Sequence, residues 1–413
     1  MGSEEQLIVD INTKFLDRSK LPDRVYVWDE TMRGGEQTPG VVFTVDDKID
    51  IAKLMDDCGV AVIDAGFPIF SEGERRAIKA LVKENLRAEV GATIRSNRDD
   101  VDIAMECGVD KVYIFSTTSR FHLHHKYGID EQECEKRVLE AVEYASGQGL
   151  SFDFISEDTS RSSMDFVLSL LNKVIERGAK RIILCDTVSV ITPASMMKMV
   201  SAIRHACPSV PFGVHCHNDF GLATANTLAA INAGVSFPTV AVNSLGDGSG
   251  NASLEEVVMA CEKLYGVKTG IKTERLYELC KLVERLSGIY LSPQKPIAGL
   301  NSYRHESEVH VAGVLKHSAV YEPIRPEEVG RQREFVLGKH SGGSSVKHLL
   351  DMKGITVTAE QVDTILANIK MEKETASKVP ISDMLKGLDE YGQTVLAFPE
   401  DRFWEIVKKV IGE

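Results

Sequence analysis

The sequence predicts an α/β protein, a (β/α)8 barrel followed by a smaller, mainly helical C-terminal region. Short apolar runs typical of β-strands alternate with longer stretches that have helical spacing and are rich in Ala, Leu, Glu and Lys. This alternation is the pattern of repeated βα units. Eight such runs are present, which is the number that closes this kind of barrel. The predicted strands are 25–31, 61–67, 88–95, 111–117, 152–157, 181–187, 211–217 and 238–245.

The first predicted helix shows how one repeat is specified. Thr44 can cap the helix, the acidic residues Asp46 and Asp47 suit its first turn, and Gly59 can end it. Its apolar residues recur at helical spacing and form one face. That face consists of Ile51, Leu54, Met55 and Cys58. We therefore expect this face to pack on the barrel.

The end of the βα pattern indicates the domain organisation. The βα pattern ends after about residue 288, so residues 1–288 are predicted to form the barrel. The next segment, 289–345, is rich in Pro, Gly, His and charge and is interpreted as a loop-rich linker and lid. Residues 346–413 return to helical patterns and are predicted to form a small helical subdomain.

The negative net charge disfavours some classes of binding partner. The chain has 413 residues and a formal net charge of −13, whereas nucleic acids and anionic membranes favour a basic surface. No apolar run reaches the roughly 18 residues of a membrane-spanning helix, and the N-terminus shows no targeting segment. We therefore expect neither nucleic acid nor a membrane as partner. The eight cysteines form no CxxC pair, which fits a reducing cytoplasm.

Two histidines near the end of the seventh predicted strand are candidate metal ligands. Residues two apart on a strand face the same way, so His215 and His217 can both reach one ion from the strand end. Asn251, in the Gly-rich loop 244–251, can supply an oxygen. A lone histidine is more often structural, but an HxH pair at a strand end favours a metal-assisted enzyme.

Further polar residues fall where barrel strands end, the face that carries catalytic groups in this fold. Arg33, flanked by Gly34 and Gly35, suits a developing oxyanion or a carboxylate. Glu157 can act as a base or orient one, or it can cap the next helix. The other candidates are Thr187 and the arginines Arg95 and Arg161, which could bind a substrate carboxylate or pair with neighbouring acids.

The post-barrel segment carries His305, His310 and Tyr321, from which a general acid or base could be delivered over a barrel mouth. Taken alone, these would be surface residues. The cluster FHLHHKYG (121–128) is as compatible with a solvated loop as with a ligand site. The run GKHSGG (338–343) could bind an anion but lacks the Walker pattern.

Several of these motifs, in one order, resemble the acyl-CoA-condensing synthases of the metal-dependent TIM-barrel superfamily. These are the 2-isopropylmalate, homocitrate, citramalate and Re-type citrate synthases. The resemblance covers about residues 24–345. It rests on DETMRGGEQ, GFPIFSEGE, SEDTSR, CDTVSVITP, GVHCHNDFGLATAN, GNASLEE, HESEVHVAG and LGKHSGG.

The resemblance implies a Claisen condensation of acetyl-CoA with a 2-oxo acid that releases CoA. It makes His215, His217 and Asn251 ligands of a divalent metal (Mn, Co, Mg or Zn) and Arg33 the oxyanion stabiliser. It makes Thr187 a contact to the oxo acid. It also assigns acid/base work to Glu157 and His310, with help from Tyr321. In such enzymes the post-barrel histidine can come from the partner subunit, so a homodimer is expected.

The chain departs from the family pattern at two positions. Gly34 stands where the family usually has an acidic metal ligand, so Asp29, Glu30, Glu36 or water would have to substitute for it. Ser189 stands where the corresponding turn usually has glycine.

The 2-oxo acid is expected to be dicarboxylic, as in Re-citrate or homocitrate synthase. The chain ends before the large leucine-sensing domain of many isopropylmalate synthases, and Arg95 and Arg161 suit a second carboxylate. A 2-isopropylmalate or citramalate synthase is the alternative.

Two other classes stay open. A lyase or aldolase of the same superfamily would run related chemistry in the cleavage direction, but lyases resembling HMG-CoA lyase carry a cysteine in the loop after strand 8, and residues 244–251 have none. A non-catalytic barrel that lost its chemistry at Gly34 is the other.

Overall fold

Eight parallel strands close into a barrel in chain order, which confirms the predicted (β/α)8 fold. The computed structural model describes residues 11–12, 14–375, 386–388, 390–391 and 398–411. The barrel strands are β1 (Trp28–Asp29), β2 (Val62–Asp64), β3 (Glu89–Arg95), β4 (Lys111–Thr117), β5 (Ser151–Glu157), β6 (Ile182–Asp186), β7 (Phe212–Cys216) and β8 (Phe237–Val240). Strand β1 pairs with both β2 and β8, so the first and last repeats are neighbours.

Helices lie between consecutive strands along the chain. A short helical segment formed by Arg120–His122 and Leu123–Tyr127 lies between β4 and the next long helix. The long helices of the barrel region are α1 (Val45–Cys58), α2 (Glu72–Lys83), α3 (Arg98–Glu106), α4 (Glu131–Gly147), α5 (Met164–Glu176), α6 (Pro193–Ala206), α7 (Ala223–Asn232), α8 (Leu254–Ala260) and α9 (Leu276–Ser287).

Helix α1 has the ends that its sequence predicts. The Thr44 side chain accepts a hydrogen bond from the Asp47 backbone N–H, and the Asp47 side chain accepts one from Thr44 in return. This is a reciprocal cap that satisfies two unpaired backbone donors. Gly59 ends the helix in the left-handed region at φ +98°, which glycine adopts without steric cost.

Several strands are shorter than predicted. Strand β1 keeps only two of the seven predicted residues, and β8 stops at Val240. After β8 the chain turns through Asn243 and Ser244, which have φ values of +60° and +65°. Thr187 and His217 consequently lie one residue beyond β6 and β7 rather than within them.

Buried side chains from the barrel strands form a hydrophobic cluster. Its members are Trp28, Val62, Tyr113, Ile155, Ile183 and Cys185. The rings of Trp28 and Tyr113 are 4.3 Å apart between centroids, within the range of favourable aromatic pairs. This packed layer gives the residues at the strand ends a rigid base.

The chain divides into two compact units, one comprising Met1–Thr273 with Glu278–Ile289 and the other Glu274–Tyr277 with Tyr290–Glu413. The second unit contains the helices α10 (Glu308–Lys316), α11 (Gly343–Asp351), α12 (Ala359–Thr375) and α13 (Glu400–Ile411). It also contains a two-stranded parallel sheet of β9 (Arg304–His305) and β10 (Glu334–Phe335). The mainly helical C-terminal region is therefore confirmed, and the predicted boundaries at residues 288 and 345 remain predictions.

Within the predicted helical subdomain, residues 376–385, 389, 392–397 and 412–413 lie outside the described residues. The segment 291–345 contains more regular structure than its composition predicted, since α10 forms within it. Within the ranges given above, no helix is long and apolar enough to cross a membrane.

Candidate active site

A cavity of about 440 Å³ lies at the ends of the barrel strands. Six of the predicted site residues line it: Arg33, Arg95, Glu157, Thr187, His215 and His217. They come from the ends of β3, β5 and β7 and from the segments that follow β1, β6 and β7 in the sequence. The closed barrel brings these segments together, since their strands end at one face.

His215 and His217 converge on one point at the end of β7. Their Nε2 atoms are 2.9 Å apart. The two nitrogens share a hydrogen bond in this structure, and the same two atoms could bind one divalent ion. Burial and then the charge of His215 lower the pKa of His217, so this ring is neutral at pH 7, as a metal ligand must be.

Asn251 adds an oxygen beside this pair. Its backbone forms an isolated antiparallel bridge with His217. Its Nδ2 donates to the carbonyl of Leu245 at 3.0 Å, while its buried Oδ1 has no hydrogen-bond partner among the described residues. A buried acceptor without a partner is costly unless a ligand satisfies it.

These donors fit a divalent cation. Two imidazoles and an amide oxygen are a ligand set that transition metals accept in proteins. In the part of the chain that the structure describes, no group of three or more His, Cys, Asp or Glu side chains could hold a metal. Asn251 would therefore be the third protein ligand to a metal on His215 and His217.

Arg33 is held between two buried carboxylates. Its Nη2 lies 2.6 Å from Glu30 Oε2, and its Nε donates to Asp64 Oδ2 at 3.0 Å. Burial alone would lower the pKa of Arg33, but the two carboxylates outweigh it and raise the pKa. The guanidinium is thus a fixed positive charge at the cavity wall, available to a developing oxyanion.

The pKa values of the two carboxylates that hold Arg33 are shifted in opposite directions. Burial raises the pKa of Asp64 to about 6, against the opposing effect of Arg33. Burial also acts to raise the pKa of Glu30, but Arg33 and His215 outweigh it and bring the value to about 2. Glu30 is therefore ionised at every pH at which the protein would be studied.

Glu157 ends β5, as predicted, and faces the cavity. Its Oε1 accepts a hydrogen bond from Lys126 Nζ at 2.9 Å. Its Oε2 has no hydrogen-bond partner within the described ranges. Thr187 lies beside it, where its Oγ1 accepts from the Asp158 backbone N–H at 2.9 Å. A carboxylate at a cavity wall is suited to proton transfer.

The two candidate substrate arginines are in different situations. Arg95 lines the cavity, although its guanidinium also holds Asp100 with Nε and Nη2 at 2.9 and 2.7 Å. Arg161 is not among the residues that line the cavity, because its guanidinium is bonded to Asp158, with Nη2 at 2.8 Å from Oδ2. The structure therefore brings Arg95, and not Arg161, to this site.

Other cavity residues were not predicted from the sequence. Lys126 lies in the histidine-rich segment 121–128 after β4. Its basic side chain was the feature of the sequence that could have indicated a role in the site. Asp64, which accepts a hydrogen bond from Arg33 but does not line the cavity, was the one acid within an otherwise apolar predicted strand. The remaining unpredicted lining residues are Gln37, Phe67, Phe70, Thr93, Phe115, Tyr127, Ile155, Cys185 and Asp247.

The post-barrel candidates lie in the second unit. The rings of His310 and Tyr321 are 4.3 Å apart between centroids. His305 is buried, and its Nε2 lies 2.9 Å from Glu322 Oε1, which is the arrangement of a structural histidine. The catalytic roles of His310 and Tyr321 remain predictions.

Ser189 occupies a backbone conformation that glycine adopts more easily. Its φ is +54°, in the left-handed region where a Cβ atom causes steric strain. The Ser189 hydroxyl donates to Asp219 Oδ2 and accepts from the Asp219 backbone N–H, both at 3.1 Å. These two bonds compensate for the backbone strain.

Known families match both parts of the chain. A family described as HMGL-like matches residues 24–283, and one described as homocitrate synthase post-HMGL domain-like matches residues 297–377. Among solved structures, HMG-CoA lyase from Bacillus subtilis superposes with a TM-score of 0.59 at 21% identity, covering 66% of this chain and 96% of the lyase. That likeness supports the barrel fold.

Curated relatives are more similar in sequence. A probable 2-isopropylmalate synthase from Methanopyrus kandleri is 46% identical, with 85% of this chain and 70% of the relative covered. Homocitrate synthase AksA from the same organism is 44% identical, with 92% and 95% covered. (R)-citramalate synthase CimA from Methanocaldococcus jannaschii is 44% identical, with 87% and 73% covered. The chain therefore belongs to the TIM-barrel family of acetyl-CoA-condensing synthases.

Proposed function

We propose that this protein condenses acetyl-CoA with a dicarboxylic 2-oxo acid and releases CoA, as a homocitrate or Re-citrate synthase does. The observation that carries the proposal is the arrangement of the cavity, in which two converging imidazoles, a fixed guanidinium and a carboxylate face one space. This set can bind a 2-oxo acid and stabilise the negative charge that forms at its carbonyl.

The divalent metal would be held by His215, His217 and Asn251. When bound, it would polarise the carbonyl of the oxo acid and orient its carboxylate. The metal is proposed to be Mn, Co, Mg or Zn, all of which accept nitrogen and oxygen ligands.

Proton transfers would fall to Glu157, which lines the cavity. Loss of a methyl proton from acetyl-CoA gives an enolate, whose carbon forms a bond to the 2-oxo carbonyl. Arg33 would stabilise the resulting alkoxide until it takes up a proton. Water then hydrolyses the thioester and leaves CoA as the free thiol.

His310 and Tyr321 would complete the acid/base machinery from the post-barrel region. We propose that they act across a homodimer, with the post-barrel segment of one subunit serving the barrel of its partner. The proposed setting is the cytoplasm, since the eight cysteines, all within the described residues, are buried and form no disulfide.

The second carboxylate of the substrate is proposed to meet the cations at the far wall. Arg95 and Lys126 both line the cavity, and a guanidinium forms paired hydrogen bonds with a carboxylate. Arg161 is withdrawn from this role, because it is not among the residues that line the cavity.

The same cavity favours a second candidate. Phe67, Phe70 and Phe115 form an apolar wall beside Arg95, and such a wall suits the hydrocarbon side chain of 2-oxoisovalerate. A 2-isopropylmalate or citramalate synthase is therefore the alternative.

A thiol-release assay separates these candidates. Acetyl-CoA would be offered with oxaloacetate, 2-oxoglutarate, 2-oxoisovalerate or pyruvate in the presence of Mn²⁺, and free CoA would be followed with a thiol reagent. We expect the highest kcat/KM with oxaloacetate or 2-oxoglutarate. Preference for 2-oxoisovalerate or pyruvate would instead support the apolar wall as the specificity element. No release with any of the four would favour a lyase or a barrel without catalytic activity.

The role of Arg95 can be tested in the same assay. Arg95→Gln should raise KM at least tenfold for a dicarboxylic substrate while changing kcat less, because binding rather than chemistry is lost. Arg161→Gln is the matched control and should have a smaller effect on KM. An equal effect of the two substitutions would contradict the assignment.

A further inference from the structure

Gly34 leaves the proposed metal site without the carboxylate that similar enzymes carry after the arginine. The metal would then have only neutral protein ligands, two imidazoles and one amide. Because a nearby negative charge strengthens the binding of a divalent cation, some other acid should compensate. Three acids near this position in the sequence are candidates: Asp29, Glu30 and Glu36.

We propose that Glu30 is the acidic group of the metal centre and that it acts through His215. Glu30 is buried, and its Oε2 lies 3.0 Å from His215 Nδ1. Nδ1 is also 2.9 Å from Thr239 Oγ1. The hydrogen bond of Nδ1 is with Thr239, and Glu30 Oε2 has no hydrogen-bond partner among the described residues, so the carboxylate acts on the ring through its charge. That charge favours a proton on Nδ1 and leaves Nε2, the atom that faces His217, as the unprotonated nitrogen. The proposal rests on the metal site of the proposed function.

The Glu30 carboxylate lies close to the space that a side chain at position 34 would occupy. A Cβ atom added to Gly34 would lie 3.3 Å from Glu30 Oε2 and 3.3 Å from Asn251 Nδ2. Both separations are tighter than ordinary van der Waals contacts, so a side chain at position 34 would press on the Glu30 carboxylate. Glycine at 34 leaves room for glutamate at 30. The two positions therefore work as an exchange, in which a carboxylate at residue 30 takes the place that a carboxylate at residue 34 would have.

The other two acids are engaged elsewhere. Asp29 accepts hydrogen bonds from the Thr31 backbone N–H at 2.8 Å and from the Thr31 hydroxyl at 3.0 Å. Glu36 accepts from the Phe43 backbone N–H at 2.8 Å and pairs with Lys48 at 2.7 Å. Among these three candidates, Glu30 is the one in contact with a proposed metal ligand.

Mn²⁺ binding tests the proposal without measuring catalysis. Full-length wild-type protein and its variants would be stripped with a chelator, dialysed and titrated with MnCl₂ by calorimetry or by the free-Mn²⁺ electron paramagnetic resonance signal. We expect Glu30→Gln to weaken binding by about 10–100-fold, the range for removing an outer partner of a ligating histidine. Asp64→Asn is the matched control, because it removes the other carboxylate on Arg33, and it should change the dissociation constant less than about threefold.

The exchange itself has a separate test. Glu30→Ala removes the carboxylate and clears the space beside Gly34, and adding Gly34→Asp to that variant restores a carboxylate on the other side. We expect the double variant to bind Mn²⁺ at least about tenfold more tightly than Glu30→Ala alone. No gain in the double variant would overturn the exchange.

Folding is checked by circular dichroism of each metal-free variant. Should Glu30→Gln fail to fold, Glu30→Asp takes its place: it keeps the charge beside Arg33, but its shorter side chain cannot maintain the contact with His215. A loss of at least about threefold is expected. Unchanged affinity in the folded variant, or equal losses in Glu30→Gln and Asp64→Asn, would overturn the proposal. Failure of the wild type itself to bind Mn²⁺ would instead overturn the metal site of the proposed function and, with it, this assignment.

Discussion

Replacing Lys48 with methionine should lower the free energy of unfolding of the barrel by about 3–5 kcal/mol, the cost of removing one partner from a buried ion pair. Lys48 lies on α1 with its side chain fully buried. Its Nζ contacts Glu36 Oε2 at 2.7 Å, both carboxylate oxygens of Glu74 at 2.8 and 2.7 Å, and the Met32 carbonyl at 3.0 Å. Methionine has a similar length and fills the space, so the loss reports on charge rather than on a cavity.

The magnitude follows from what the substitution leaves behind. Glu36 and Glu74 would remain as two mostly buried carboxylates without their shared cation. Burial already raises the pKa of Glu74 in the presence of Lys48. Without Lys48, folding at neutral pH would require protonation of a carboxylate or burial of two like charges. The destabilisation should therefore be smaller at pH 5 than at pH 8, because protonation is easier at pH 5.

Urea denaturation followed by tryptophan fluorescence measures this loss. The chain has two tryptophans, and a Trp404→Phe background leaves Trp28 on β1 as the reporter of the barrel. Lys48→Met combined with Glu74→Gln should recover at least about 1–2 kcal/mol, since it removes one of the unpaired charges. A loss below about 1 kcal/mol, or no recovery in the double variant, would refute this interpretation of the cluster.

Three further predictions concern single positions of the site. Arg33→Lys should lower kcat in the thiol-release assay at least about 100-fold, because one ammonium group cannot hold both carboxylates and also face the cavity. Ser189→Ala should lower the free energy of unfolding by about 1–2 kcal/mol, while Ser189→Gly should cost less, because glycine relieves the strain at φ +54° that alanine retains. Asp29→Asn should change the pH dependence of stability. Burial raises the pKa of Asp29 to about 8 from a usual 3.8. Between these values the folded wild type keeps a proton on Asp29 that the unfolded chain has lost. As the pH rises from 5 to 8, the free energy of unfolding of the wild type should therefore fall relative to that of the variant.

Each of these three has an outcome that contradicts it. For Arg33→Lys it is a kcat within about tenfold of the wild type, measured with the protein shown to be folded. For Ser189 it is a larger loss in the glycine variant than in the alanine variant. For Asp29→Asn it is a stability difference from the wild type that is the same at both pH values in urea titrations.

The residues that could be predicted from the sequence are those whose placement depends on local periodicity. His215 and His217 converge because strand residues two apart face the same way, and β7 holds the first of them while the second follows directly. Thr44 and Gly59 bound α1 because capping depends on residue type at fixed positions. Both features need only a few neighbouring residues.

The remaining features depend on contacts that the sequence pattern does not contain. Arg161 was expected at the substrate, but Asp158 adopts a left-handed conformation at φ +61° and binds its guanidinium. Lys126 reaches Glu157 because a turn of π-helix follows β4. Glu30 could not be distinguished from Asp29 as the compensating acid, because that choice depends on the distance to His215 across the closed barrel.

The reaction proposed for the cavity at the strand ends is a metal-dependent condensation. Its most direct test compares chelator-stripped protein with the same sample reloaded with Mn²⁺, measuring CoA release and 2-oxo acid consumption together for the best of the four oxo acids. We predict no release above background in the stripped protein, and in the reloaded protein one CoA released for each oxo acid consumed. CoA release that persists in the stripped protein, or that occurs without consumption of the oxo acid, would contradict the account.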